Sequence, residues 1–313
     1  MTWHAKLDIQ YKLEDDRTVA RYERVGPLQV LQSLYPEGNA VCHNVLVHPP
    51  GGLVGGDTLD ITINVAPHAH GLITTPGATR FYKSLGEPAL QRTQVKVQAN
   101  GRLEWLPLEA IAYNDCSAEN QCIFQLDAGA EMMGWDVTAL GLPHADMPFE
   151  SGSFTQHIEL PGIWLERGKI EASDQRLLNS PIGLAGQRCM GSLFFASGSA
   201  LQRDRVALAL AAARMVLDTH ALKGTAGATS PNDHVVVVRV LAPMVEPVMD
   251  VLRQVWTAWR QDLWQLKAAA PRIWASFQGV WRIDDAQMLV CIAKSQPFAE
   301  CHQSTYFCLA PWR

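Results

Sequence analysis

The segment DTLDITINV, residues 57 to 65, alternates without a break. Leu59, Ile61, Ile63 and Val65 fall on one side of an extended chain, and Thr58, Asp60, Thr62 and Asn64 on the other. Strand side chains point to opposite faces in turn, so this is a strand with one face buried and one wet. Further extended segments begin near Thr18, Ala40, Gly71, Gln91, Arg102, Gln121, Ser153 and Ile163. They recur about every 10 to 12 residues with turn residues between them, the spacing of an all-β sandwich, barrel or solenoid. No helix-period segment interrupts them, which argues against a parallel sheet fed by crossover helices.

The character changes after about residue 200. RDRVALALAAARMVLDTHALKG is alanine-rich and sets Val206, Leu210, Ala213 and Leu217 on one helical face, with Gly224 just past its end. The apolar run HVVVVRVLA reads as a buried strand. A second helix follows in EPVMDVLRQVWTAWRQDLWQL, with Pro247 in its first turn and Leu252, Val255, Trp259, Leu263 and Leu266 as its stripe. The expected fold is therefore mainly β with two α-helices in the C-terminal half. Trp256, Trp259 and Trp264 are candidate interface anchors or core residues, and Trp259, on the stripe itself, reads as core.

Composition narrows the function classes. A net charge of -5 and a pI near 6.1, with no Lys/Arg-rich stripe, argue against nucleic acid as partner. No apolar run approaches a membrane span. The N-terminal MTWHAKLDIQYK lacks the basic-then-apolar order of a signal peptide. The seven cysteines, Cys42, Cys116, Cys122, Cys189, Cys291, Cys301 and Cys308, are odd in number and form no CxxC, as expected of reduced thiols in a cytoplasmic protein.

Chemistry is sparse. HPPGGLVGGD, residues 48 to 57, runs into a strand with no lysine until Lys83, whereas a phosphate loop needs Lys and Ser/Thr in its closing turn and a helix behind it. The glycines read instead as a tight loop in which side chains would clash, with Asp57 capping the turn or facing a cavity. TTPGATRFYKS brings Arg80, Tyr82 and Ser84 to one face if extended, and nothing in it matches G-x-S-x-G. His68-Ala69-His70 would set two imidazoles on one strand face, with no third metal ligand fixed by spacing. Cys42-His43, His48 and the Cys301-His302 and Cys308 group offer further ligand types. The acids Asp57, Glu104, Glu109, Asp115, Asp136 and Glu166 stand among apolar residues, where they either pair structurally or line a polar channel.

Five segments in order and spacing, VGPLQVLQSLYPEG, HPPGGLVGGDTLDITINV, LITTPGATRFYKS, LEWLPLEAI and PRIW, resemble the urease accessory protein family UreD, also called UreH. The resemblance runs from about residue 5 to residue 276. Its signature falls on Pro49, Pro50, Gly51, Gly52, Gly55, Gly56, Thr75, Gly77, Tyr82, Trp105 and Pro107. It implies a β-helix-like stack of strands with two helices, and a scaffold without catalytic activity or a tightly bound cofactor. Such a scaffold binds urease apoprotein and, with UreF and the GTPase UreG, helps load nickel, the carrier UreE acting indirectly. GTP hydrolysis then belongs to the partner, since this chain has no P-loop. The resemblance also implies a polar passage for nickel in transit, carried over to Asp57, Glu104, Asp136 and Glu166. Two other readings compete with it, a metal-dependent hydrolase built around His68 and His70 and a purely structural binding module.

The resemblance implies one UreD-like domain over 1–276, strand-rich to residue 200 and helix/strand/helix from 201, followed by an atypical extension, 277–313. Two departures stand out. Gly141-Leu142-Pro143 occupies a place where the family usually has Gly-Arg-Pro, and family members end soon after PRIW. If the full chain fails to restore urease activation to cells lacking it while a version ending at Ser276 succeeds, the extension is a lesion.

Overall fold

The computed structural model describes residues 2–142 and 145–275. Leu142, where the family usually has Arg, is half-buried and in register with Met147. Pro143 and the extension 277–313, with Cys291, Cys301, His302 and Cys308, lie outside the described residues. Met1–Pro271 form one compact unit, and a second begins at Arg272. The described part of the second is a 3-10 turn, Arg272–Trp274, closed by Ala275 N–H to the Arg272 carbonyl at 3.1 Å.

Within the first unit the chain builds two sheets. Sheet one contains β1 (His4–Glu14), β2 (Arg17–Val25), β5 (Thr58–Val65), β8 (Ala89–Val97), β11 (Cys116–Leu126), β14 (Gly152–Leu160) and β15 (Trp164–Glu171). They lie in the order β15-β14-β11-β8-β5-β1-β2. Sheet two contains β3 (Gln29–Val30), β4 (Val41–Val47), β6 (His70–Thr74), β9 (Arg102–Leu106), β12 (Glu131–Leu142), β16 (Cys189–Ser197), β17 (Ala226–Asn232) and β18 (Val235–Ala242). Its order is β17-β18-β16-β12-β9-β6-β4-β3. Short strands β7 (Thr79–Phe81), β10 (Ala110–Ala112) and β13 (Met147–Pro148) attach beside β12.

From β4 to β14 the chain visits the two sheets in turn, and each return pairs parallel with the strand one coil earlier. This is a β-helix-like stack, as the resemblance implied. The expectation against helical crossovers holds, yet the sheets are largely parallel, because the crossover from one strand to the next is made by a strand of the opposite sheet. The run ends in antiparallel strands on sheet one, β2 against β1 and β15 against β14.

Burial explains which strands were legible. Sheet one has a wet outer face, so Leu59, Ile61, Ile63 and Val65 of β5 are buried while their neighbours are half-buried. Sheet two is covered on both faces, and β6, most of β12 and Val235–Val238 are buried throughout, as strands between two layers are. Helices α2 (Arg203–Thr219) and α3 (Val245–Trp264) supply the outer cover. A third helix, α1 (Gln175–Asn179), was not expected; Asp174 caps it by accepting from Leu177 N–H at 2.9 Å.

Two details of the helices differ from expectation. The buried residues of α2 are Ala209, Ala212, Ala213 and Leu217, while Val206 and Leu210 are half-buried. Small side chains let α3 come close enough for the Trp259 indole N–H to reach the Ala209 carbonyl at 2.8 Å. In α3, Leu252, Val255, Trp259 and Leu263 are buried as expected, but Leu266 lies past the end. Gln265 adopts a left-handed φ of 55°, and Leu266 N–H closes on the Arg260 carbonyl. Trp256 and Trp264 are buried like Trp259, so none of the three is a surface anchor.

The glycine loop needs its glycines unequally. A Cβ on Gly55 would sit 2.5 Å from the Glu87 carbonyl oxygen, whereas one on Gly77 would meet nothing within 4 Å. Gly55→Ala is expected to cost about 1–3 kcal/mol in urea unfolding. Gly77→Ala should stay within about 0.5 kcal/mol, and equal losses would show that the loop does not set the backbone spacing.

Candidate functional site: an internal polar row

The loop over residues 48–57 is pinned to β7 by Leu53 N–H to the Arg80 carbonyl at 2.7 Å and by Tyr82 N–H to the Leu53 carbonyl at 2.8 Å. A side chain on Gly52 would run into the Tyr82 ring, and Gly51 and Gly56 have φ of 78° and 89°. Asp57 caps the turn: its carboxylate accepts from Val54 N–H at 3.0 Å and Trp3 N–H at 3.3 Å. Thr75 Oγ1 accepts from Leu108 N–H at 2.8 Å and donates to the Gly77 carbonyl at 3.0 Å. The Trp135 indole donates to the Pro107 carbonyl. Pro49 and Pro50 are exposed at the turn. These elements enclose a cavity of about 190 Å³ lined by His48, Gly51, Gly52, Thr75, Gly77, Arg80, Trp105, Pro107 and Gln91.

Gln91 leads inward. On β8 it is in register with Asn120 on β11, Asn120 with Gln156 on β14, and Gln156 with Gly168 on β15. Parallel in-register stacking thus sets three amides in a line on the inner face of sheet one. Across from them Asp136 on β12 is in register with Ser192 on β16 and Ser192 with Arg239 on β18. Gln91 donates to Asn120 at 3.1 Å, Asn120 to Asp136 Oδ2 at 2.9 Å and Gln156 to Asp136 Oδ1 at 2.6 Å, with Thr138 Oγ1 at 3.2 Å from the same oxygen. Glu166 on β15 accepts from Ser192 Oγ at 3.2 Å and from Arg239 Nη2 and Nε at 2.6 and 3.1 Å. A row of polar side chains therefore runs between the sheets from the cavity to the Glu166–Arg239 pair.

Asp136 is 7% exposed, and burial pushes its carboxyl up to about 6, the nearby Glu166 adding to the shift and the amide and hydroxyl donors opposing it. Oxygen-rich and holding a carboxylate between neutral amides, the row offers a divalent cation weak oxygen ligands and, among the described residues, no tight cage.

Of the four acids singled out in the sequence, the structure brings Asp136 and Glu166 into this row and puts the other two elsewhere. Glu104 points out of the stack, toward α3. It lies 2.9 Å from His70 Nε2 and 3.5 Å from Arg260 Nη1, and accepts from the Trp256 indole at 2.6 Å. Arg260, itself fully buried, also grips Glu37, which lies 2.6 Å from His43 Nε2. Burial works to raise the Glu37 carboxyl, but the His43 and Arg260 hydrogen bonds outweigh it and hold the group below its ordinary value. Glu131 receives the Trp264 indole at 2.7 Å and the Arg205 guanidinium.

His68 and His70 do not share a strand face. His68 is exposed in a turn with φ of 63°, and β6 starts only at His70, which is buried against Glu104. Among the described residues no three His, Cys, Asp or Glu side chains converge on a metal-sized site. Cys42, Cys116, Cys122 and Cys189 are buried and free of disulfides. No helix of the described residues is long and apolar enough to cross a membrane. Gln91, Asn120, Gln156, Ser192 and Arg239 were not foreseen. They lie in separate strands with no local motif, and the coil register is the signal that would have joined them.

The Asp136 carboxyl rises from its ordinary 3.8 to about 6 on folding, so the fold favours its acid form. That stabilisation is full below the unfolded value and is lost as pH rises through 6, on the order of 3 kcal/mol in all. Asp136→Asn should therefore gain stability relative to the parent between pH 4 and pH 8 in paired urea titrations. A flat difference would show that Asp136 ionises normally.

The family model described as UreD urease accessory protein matches residues 4–275. Proteins named Urease accessory protein UreD from Albidiferax ferrireducens, Paracidovorax citrulli and Variovorax paradoxus are 65%, 64% and 62% identical to this chain. Each alignment covers 88% of this chain and 100% of the relative. By both measures the chain belongs to the UreD family of urease accessory proteins.

Proposed function

We propose that this chain is a urease maturation factor, a non-catalytic cytoplasmic scaffold that docks on urease apoprotein with UreF and UreG and assists nickel incorporation. UreE enters indirectly, as the source of the ion, and GTP hydrolysis belongs to UreG. Family membership supports the accessory role. The observation that carries the nickel reading is Asp136, a carboxylate inside the stack between two amide donors and in line with a surface cavity.

Nickel is the cargo. Its passage asks for weak, successive oxygen ligands, since a tight cage would retain the ion. The amide oxygens of Gln91, Asn120 and Gln156 with the carboxylates of Asp136 and Glu166 are such a series. In this reading Asp57 acts by holding the loop that walls the cavity, and Glu104 by anchoring α3 under the docked partners.

The test is a urease operon with this gene deleted. Urease from the deletion should be largely apoprotein, with nickel and activity restored by the chain. Asp136→Asn should assemble with urease as the parent does yet cut nickel per urease at least several-fold. Full activation by that variant would end the passage role of Asp136, and full activation in the deletion would end the accessory role in that cell.

A further inference from the structure

Arg239 is the one charged residue in the apolar strand β18, whose Val235 and Val237 face the core. Alternation puts Arg239 on that same inner face, one register step from Ser192 and two from Asp136. An arginine on an inner face needs a reason. Here sheet one ends at β15, so the guanidinium emerges 48% exposed and lies over Glu166, which is 21% exposed.

Gly168 supplies a second, independent observation. It holds the end position of the amide line Gln91, Asn120, Gln156 and carries no side chain there. A Cβ built on it meets nothing within 4 Å, and its backbone is not left-handed, so neither packing nor strain requires glycine. The line ends at Gly168, an exposed glycine with free space above it, two residues from Glu166 along β15.

Resting on the passage reading above, we propose that Arg239 is the gate residue at this outlet, its guanidinium held across the opening at Gly168 by Glu166. A fixed cation in that place repels a divalent ion in the row, and it also occupies the Glu166 carboxylate that would be the last ligand. The pair is partly exposed, and such pairs contribute little to stability, so the gate opens easily when another carboxylate draws the arginine away. A buried pair would have made the closed state permanent.

Cys122 reports on the gate without urease. It lies on the inner face of β11, two residues beyond Asn120 and in register with Thr93, and burial keeps its thiol protonated. Methylmercury, a small cation, displaces the thiol proton and stays on the sulfur, so peptide mass mapping gives a labelling rate for each cysteine. In the full chain, Arg239→Gln should label Cys122 at least about 10-fold faster than the parent. Gly168→Trp, which plugs the opening with no clash at Cβ, should slow it several-fold. Cys189, buried on the opposite face of sheet two, is the control for general loosening and should not change. Unchanged Cys122 rates in both variants, or Cys189 accelerating in step with Cys122, overturn the gate. Nickel loading of urease, measured with the same variants, separates the two ideas. If Asp136→Asn blocks loading while Arg239→Gln and Gly168→Trp alter neither loading nor labelling, the gate fails and the passage stands. If labelling moves as expected but no variant alters loading, the gate stands as a property of the fold and the passage fails.

Discussion

Everything inside this protein depends on the register in which one coil stacks on the next. Parallel pairing makes Asn120 the neighbour of Gln91 and of Gln156, although the three are far apart along the chain. The same register sets Asp136 beside Ser192 and Ser192 beside Arg239 in the facing sheet. A shift of one residue in any of these strands would turn its inner side chain outward and leave an amide or carboxylate buried without a partner. Register here is held by the apolar inner residues of each strand, such as Leu59, Ile61 and Ile63, so the hydrophobic pattern that builds the fold also places the polar row.

The second organising feature is the way α3 is tied down. Two of its tryptophans donate indole N–H groups to buried carboxylates of sheet two, Trp256 to Glu104 and Trp264 to Glu131. Arg260 from the same helix reaches both Glu104 and Glu37. Buried ion pairs often add little net stability over apolar packing, because desolvation offsets the attraction. They are costly to break one partner at a time, however, and they fix a single seating for the helix. The apolar stripe alone would allow α3 to slide, since Val, Leu and Trp contacts are not directional. The carboxylates of β9 and β12 settle the position.

Much of the architecture was legible in the sequence, for a reason that also marks where reading stopped. The alternation of β5 is plain because sheet one has water on its outer face. In β12 it is masked because α3 covers the other side, and MMGWDVTAL carries no period to read. In the α2 stripe Ala213 and Leu217 are core as expected, while Val206 and Leu210 are only half-buried. Ala209 and Ala212 pack inside because they are small. For the site, Asp57, Glu104, Asp136 and Glu166 stood out as acids among apolar residues, and all but Glu166 are almost fully buried. What the sequence did not carry was their company. Trp256 and Glu104 meet across 152 positions, and Gln156 and Asn120 look like any solvated amides until the coils are stacked.

The end strands have a consequence for self-association. A stack of parallel coils is open in principle at both ends, and an identical molecule could add its own coil there and go on adding. Antiparallel β2 and β15 break that repeat on sheet one, for each presents an edge running opposite to the strand an added coil would need. Their exposed residues include Arg21, Glu23, Arg24, Arg167 and Lys169, charges that a flat docking edge would have to bury. On sheet one a stacked copy would therefore meet strands of the wrong direction and would have to bury those charges.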